Sequence, residues 1–186
     1  MANKDAAFGL KAIGKVGQNK DNQGLSEYSI AASATAIYQN DPVKMLATGT
    51  IGVAAAADVL LGSLNGVFYT DSSSSKPTWE NHLAGSNAAT DIVGFISDDP
   101  YERFEVQSAG TVAQTNIGNC ADIVYAAGSS PNFVSKVEIS GTMADTAAQL
   151  KIIGVSKDPD NSDLSSVNPN VVVTINEHFL KQTAGI

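Results

Sequence analysis

Apolar and polar positions alternate with a period of two through much of the chain, the signature of half-buried strands. In DIVGFISDDPYERFEVQ (91–107), an apolar run from Ile92 to Ile96, broken by Gly94, leads into an acidic Asp98-Asp99-Pro100 turn. Beyond the turn, Phe104 and Val106 alternate with Arg103, Glu105 and Gln107. The pattern predicts two adjacent strands joined by that turn, with Ile92, Val93, Phe95, Phe104 and Val106 in the core.

EYSIAASA (27–34) and NFVSKVEIS (132–140) alternate in the same way, the latter setting Phe133, Ser135, Val137 and Ile139 on one face. Short apolar runs at 43–46, 51–54 and 59–64 are punctuated by glycine, threonine and alanine, and Asn65-Gly66 between apolar runs predicts a type I′ hairpin. The run Val171–Val173 predicts a strand covered on both faces. LKIIGVSKDP (150–159) echoes the central stretch, with glycine and then Asp-Pro closing an apolar strand. One stretch, TMADTAAQL (142–150), reads as a helix of about two turns with Thr142 as its N-cap. Ten or so short strands and at most one or two short helices predict a mainly β fold, a small β-barrel or β-sandwich.

The loop 71–89 interrupts this pattern. Its four serines and Pro77 argue against a packed element in the first half, while Trp79 and Leu83 are placed to pin the second half to the body. Residues 1–26 differ again. They hold four glycines and the polar run KVGQNKDNQG, with neither period, and are expected to stay extended or disordered until a partner orders them. The expected organisation is an extended basic N-terminal arm, 1–26, and a single β-rich body, 27–186.

Charge sharpens that division. Residues 1–20 carry Lys4, Lys11, Lys15 and Lys20 against Asp5, a net of +3; the remainder carries seven basic and eighteen acidic groups, a net of −11. An acidic body repels nucleic acid, whereas a basic arm is suited to docking on an acidic partner. The arm's candidate contact residues are therefore Lys4, Phe8, Leu10, Lys11, Ile13, Lys15, Val16 and Lys20; the bland alternative is a solvated tail. Lys4 and Asp5 stand where a signal peptide needs an apolar core, and the longest apolar run, 51–62, is shorter than the ~20 residues of a bilayer crossing. No membrane association is expected, and the single cysteine, Cys120, fits synthesis in a reducing cytoplasm.

Candidate chemistry is sparse. GLKAIGKV (9–16) approaches a phosphate-binding loop but has Val16 where serine or threonine should hold Mg²⁺, and no apolar strand before it. Asp158, Asp160 and Asp163 crowd three carboxylates into six residues, yet Asp163 and Pro169 occupy the positions where a calcium loop needs glycine and glutamate. His82 and His178 are far apart and lie beside apolar neighbours, which favours packing. No catalytic residue, metal or cofactor is expected.

The order SLNGVFYTD, KPTWENHL and DIVGFISDDPYERFEVQ, between an N-terminal KVGQNKDNQG and a terminal INEHFL, resembles virion structural proteins of tailed bacteriophages, especially phages of marine bacteria. These are described as head decoration, cement or capsid-stabilising proteins. The resemblance implies a small β-domain on the outside of the capsid shell, a homo-oligomer with a trimer favoured, whose extended arms reach across subunits of the major capsid protein. The competing expectation is a ligand- or carbohydrate-binding β-domain using the 71–89 loop, Trp79 and Tyr69. A hydrolase built on the acidic turns is a third, weaker one.

Overall fold

A computed structural model describes residues 2–17, 24–144 and 146–183. The chain is mainly β, built from several antiparallel sheets in a sandwich- or barrel-like class, and the barrel is not closed. Sheet I runs in the spatial order β1 (Lys11–Lys15), β8 (Glu102–Gln107), β13 (Asn170–Ile175), β12 (Leu150–Val155), β9 (Cys120–Ala121). Sheet II runs β2 (Ser26–Ser29), β7 (Val93–Ser97), β5 (Gly62–Thr70), β3 (Pro42–Met45), β4 (Ile51–Val53), and β6 (Pro77–Glu80) pairs the far half of β5. A short ribbon joins β10 (Ile123–Val124) to β11 (Glu138–Ile139). Two single 3₁₀ turns, Gln114–Asn116 and Phe179–Lys181, are the helical elements among the described residues.

Each sheet has its own apolar cluster, as period-two patterning requires. Phe104, Val106, Leu150, Ile152, Val171 and Val173 project from sheet I into a cluster that Val137 and Ile139 close. On sheet II, Leu64, Val67, Tyr69 and Ile96 pack with Ile30, Ile37, Leu83 and Ile92. Of the face expected over 132–140, Ser135, Val137 and Ile139 are buried against exposed Lys136, but Phe133 is half-buried at φ +53° and the strand is confined to Glu138–Ile139.

Four expectations are corrected. Strands β7 and β8 are not neighbours: the acidic turn carries the chain from sheet II to sheet I. Its carboxylates explain why. Asp98 accepts hydrogen bonds from Tyr28 Oη at 2.6 Å and Ser26 Oγ at 2.8 Å, both on β2 of sheet II. Asp99 pairs with Lys15 on β1 of sheet I at 2.8 Å and accepts the Glu102 N–H on its carbonyl. Of the five predicted core residues, Ile92, Phe104 and Val106 are buried, but Val93 and Phe95 lie half-buried on the outer face of β7.

Asn65-Gly66 does not turn. It lies within β5, where the register against β7 shifts by one residue, a bulge. The hairpin falls instead between β5 and β6, where Asp71 Oδ1 accepts the N–H groups of Ser73 and Ser74 and closes the serine loop. The described residues of 142–150 form no helix, since tertiary bonds claim that backbone. Ala144 exchanges two 2.8 Å hydrogen bonds with Cys120, and buried Gln149 accepts from Ile123 N and donates to the Ala55 and Asp58 carbonyls.

The fourth correction concerns the arm. Residues 2–17 are extended, but they are ordered on their own body. Strand β1 pairs with β8, and Leu10 is completely buried in the sheet I cluster. Leu10 N donates to Asn40 O at 2.9 Å, and Ser63 Oγ donates to Leu10 O at 2.6 Å. Gly9 makes this seating possible: at φ +76°, any Cβ would stand 2.3 Å from Asn40 O. Further out, Ala6 N donates to Gln107 Oε1, while Gln107 and Asn161 donate to the Lys4 carbonyl.

Candidate interaction surfaces

The arm's lysines do meet acidic groups, but these belong to the same chain. Lys4 pairs with Asp160, Lys15 with Asp99, and Lys11 approaches Glu105 at 4.0 Å. The arm's positive charge, expected to dock on an acidic partner, thus meets carboxylates of its own body. Phe8 is half-buried with its carbonyl held by Asn40, and Leu10 belongs to the core. Ile13 and Val16 remain exposed, and Lys20 lies outside the described residues. Of the candidate contact residues, only these two offer apolar side chains to a partner.

A larger apolar surface lies on the outer face of sheet II, a face the sequence did not single out. Residues paired across antiparallel strands point to the same side of a sheet. Trp79 pairs with Phe68, Phe68 with Val93 and Val93 with Ser29; the next row is Gly66, Phe95 and Glu27. Trp79 is 53% exposed and Phe68 41%. The Trp79 indole lies over Gly66 and meets the Phe95 ring at a centroid distance of 4.9 Å, tilted by 56°. The result is a cross-strand aromatic platform with polar Ser29 and Glu27 on the edge strand. Tyr69, the other aromatic assigned to this region, points to the opposite face and is buried. Leu83 pins the loop as expected, being completely buried, whereas Trp79 does not.

The acidic groups are occupied locally. Asp163 accepts from Ser165 and Ser166, Asp158 accepts from the Asp160 N–H, and Asp160 is the partner of Lys4. Hydrogen bonds from Ser165 hold the Asp163 carboxyl below the usual range. Among the described residues, no group of three His, Cys, Asp or Glu side chains is placed to hold a metal ion. His82 stacks on Phe133 at 4.0 Å. His178 is buried and accepts the Leu180 N–H on Nδ1 at 3.1 Å. Its Nε2 is buried without a well-formed hydrogen bond, and burial, reinforced by Lys181, pulls its pKa down to about 4.

Among the described residues, the most buried carboxylate is that of Asp41. Its Oδ2 accepts the Tyr38 N–H at 2.8 Å, while Oδ1 is buried without a well-formed hydrogen bond. Burial pushes its pKa up to about 6 against the opposing pull of Ser135 and Tyr38.

No protein-family model matches the chain, and comparisons with curated proteins and with solved structures find no match.

Proposed function

We propose that this protein is a structural component of a tailed-phage virion that binds the outer surface of the capsid and stabilises it. Its partners in this reading are the major capsid protein and neighbouring copies of itself, a trimer being the favoured assembly. The observation that carries the reading is the platform of Trp79, Phe68, Phe95 and Val93 on the open face of sheet II. Contiguous aromatic surface of this kind marks interaction sites, because large rigid rings bury much area at small entropic cost. The acidic body disfavours nucleic acid as the partner, and many copies on a shell let weak single contacts add up. The family likeness supplies the setting, the platform supplies the contact, and the role is structural with no catalytic step.

The arm is reassigned in this proposal. It completes the body, leaving Ile13 and Val16 as its outward contacts. The deciding experiment measures occupancy on expanded capsids stripped of the protein, for wild type and a Trp79→Ser, Phe68→Ser double variant. A loss of tenfold or more in occupancy with an unchanged circular dichroism spectrum supports the proposal. Undiminished occupancy ends it.

Exposed Trp79 also favours the carbohydrate-binding reading, since an accessible indole face stacks on sugar rings. That alternative predicts glycan-array binding that Trp79→Ser abolishes; silence of the wild-type protein on the array removes it.

A further inference from the structure

Sheet I carries a second surface, chemically unlike the aromatic platform. Its two bulges fall on β1, between Ala12 and Gly14, and on β12, between Ile152 and Gly154. Each adds an isoleucine out of register: Ile13, 37% exposed, and Ile153, 39% exposed. Bulges re-aim side chains, and here they raise two aliphatic walls. Between them, β8 and β13 contribute Arg103, Glu105 and Val172 to the floor of a groove of about 380 Å³, and Lys157 lies at its rim. That volume is at the small end of ligand sites, the size of a short stretch of side chains.

The two charged groups of the floor differ. Glu105 is satisfied, accepting from Ser156 Oγ with Lys11 at 4.0 Å. Arg103 is half-buried and, among the described residues, its side chain makes no hydrogen bond and no ion pair within 4 Å; its Nε is buried and unpaired. A buried donor without an acceptor is costly. Val172 points the same way: it completes a run of three valines, yet it lies on the uncovered face. A cleft with aliphatic walls and, beside Glu105, a guanidinium that lacks a hydrogen-bonded partner is complementary to an aliphatic segment bearing a carboxylate, which arginine grips through its planar fork.

We infer that this groove docks an extended segment of a partner protein, a carboxylate at Arg103 flanked by aliphatic side chains against Ile13, Val172 and Ile153. The inference goes beyond the capsid proposal and does not rest on it, because it concerns the isolated protein and the opposite sheet. The test is a two-dimensional NMR titration of the full chain with N-acetyl-Thr-Val-Val-Glu-Val-Thr-amide and its Glu→Gln counterpart. The glutamate peptide should shift the Arg103 Nε–Hε signal and the Ile13 and Ile153 methyl signals saturably, at least fivefold more tightly than the glutamine peptide. Arg103→Gln should bring the two peptides to equal affinity. Ile153→Glu, on an already exposed wall, should weaken the glutamate peptide at least fivefold without depending on how Arg103→Gln folds. Equal binding of the two peptides by the wild-type protein, or no shift at these three residues, overturns the inference.

Discussion

The Trp79 indole occupies the space above Gly66: a Cβ on Gly66 would lie 2.5 Å from Trp79 Cζ2 and 2.9 Å from the Glu80 carbonyl oxygen. A glycine that reads as half of a hairpin turn is in fact the seat of the aromatic platform. Gly66→Ala should displace the indole and strain the β5–β6 pairing, costing about 1–3 kcal/mol as overpacking does. Trp79 is the only tryptophan, so its fluorescence reports this directly. The expected outcome is a changed emission maximum and a lower urea midpoint; identical spectra and midpoint for the variant would show that the indole does not rest on Gly66.

Because Leu10 is completely buried in the sheet I cluster, the arm contributes to the stability of the body. Leu10→Ala should cost about 2–5 kcal/mol, the usual range for emptying a buried leucine site. Urea denaturation checks this, with Val16→Ala, at 51% exposure, as a control that should change stability little. An unaltered midpoint for Leu10→Ala would return the arm to the status of a free tail.

These two cases show where the sequence is informative. Period-two alternation reveals buried Phe104 and Val106, and Ser135, Val137 and Ile139, because facing is a local property of a strand. Strand partners are not local. Nothing within 91–107 tells that Asp98 bonds to β2 while Asp99 pairs with β1, so the turn between two sheets reads as a hairpin. Glycine signals conformational freedom or close approach, and Gly66 serves the second purpose. The helix expected at 142–150 is lost to the buried contacts of Gln149, which propensity does not register. The charge of the arm is read correctly, but a sign alone does not identify which acidic surface it meets. One exposed feature did leave a trace, Trp79 in a polar loop; the valine run reads as a strand covered on both faces, but Val172 lies half-buried on the uncovered one.

Two buried titrating groups act on stability in opposite directions. His178 has its pKa lowered from 6.5 to about 4 by burial and by Lys181, against the opposing pull of Asp98 and Asp99. Its neutral form is favoured in the folded state, so its contribution is full above pH 6.5 and is lost as pH falls toward 4. Asp41 is raised from 3.8 to about 6, chiefly by burial. Its contribution is full below pH 3.8 and is lost as pH rises through 6. Each spans on the order of 3 kcal/mol at 1.36 kcal/mol per unit, so between pH 4 and 6 they largely offset one another. Asp41→Asn should therefore make stability fall more steeply on acidification through this window, and His178→Asn should make it rise. Urea midpoints at pH 4, 5 and 6 measure both, and parallel profiles for the two variants would contradict the assignment.

Asp98 ties the inter-sheet turn to sheet II through Tyr28 and Ser26. Burial, and then the hydrogen bond to Asp98, push the Tyr28 phenol well above its ordinary value. Replacing Asp98 with alanine removes an ionised acceptor from two part-buried donors, and hydrogen bonds to charged groups contribute about 1.5–3 kcal/mol. A double-mutant cycle isolates the coupling. Asp98→Ala should cost clearly more in wild type than in a Tyr28→Phe background, where one of its two donors is already gone. Ultraviolet titration supplies an independent reading, since Tyr28 should ionise at lower pH once the carboxylate is removed. If the two costs are equal and the phenol titrates unchanged, the bond at 2.6 Å does not hold the turn, and the passage between the sheets rests on the Lys15–Asp99 pair instead.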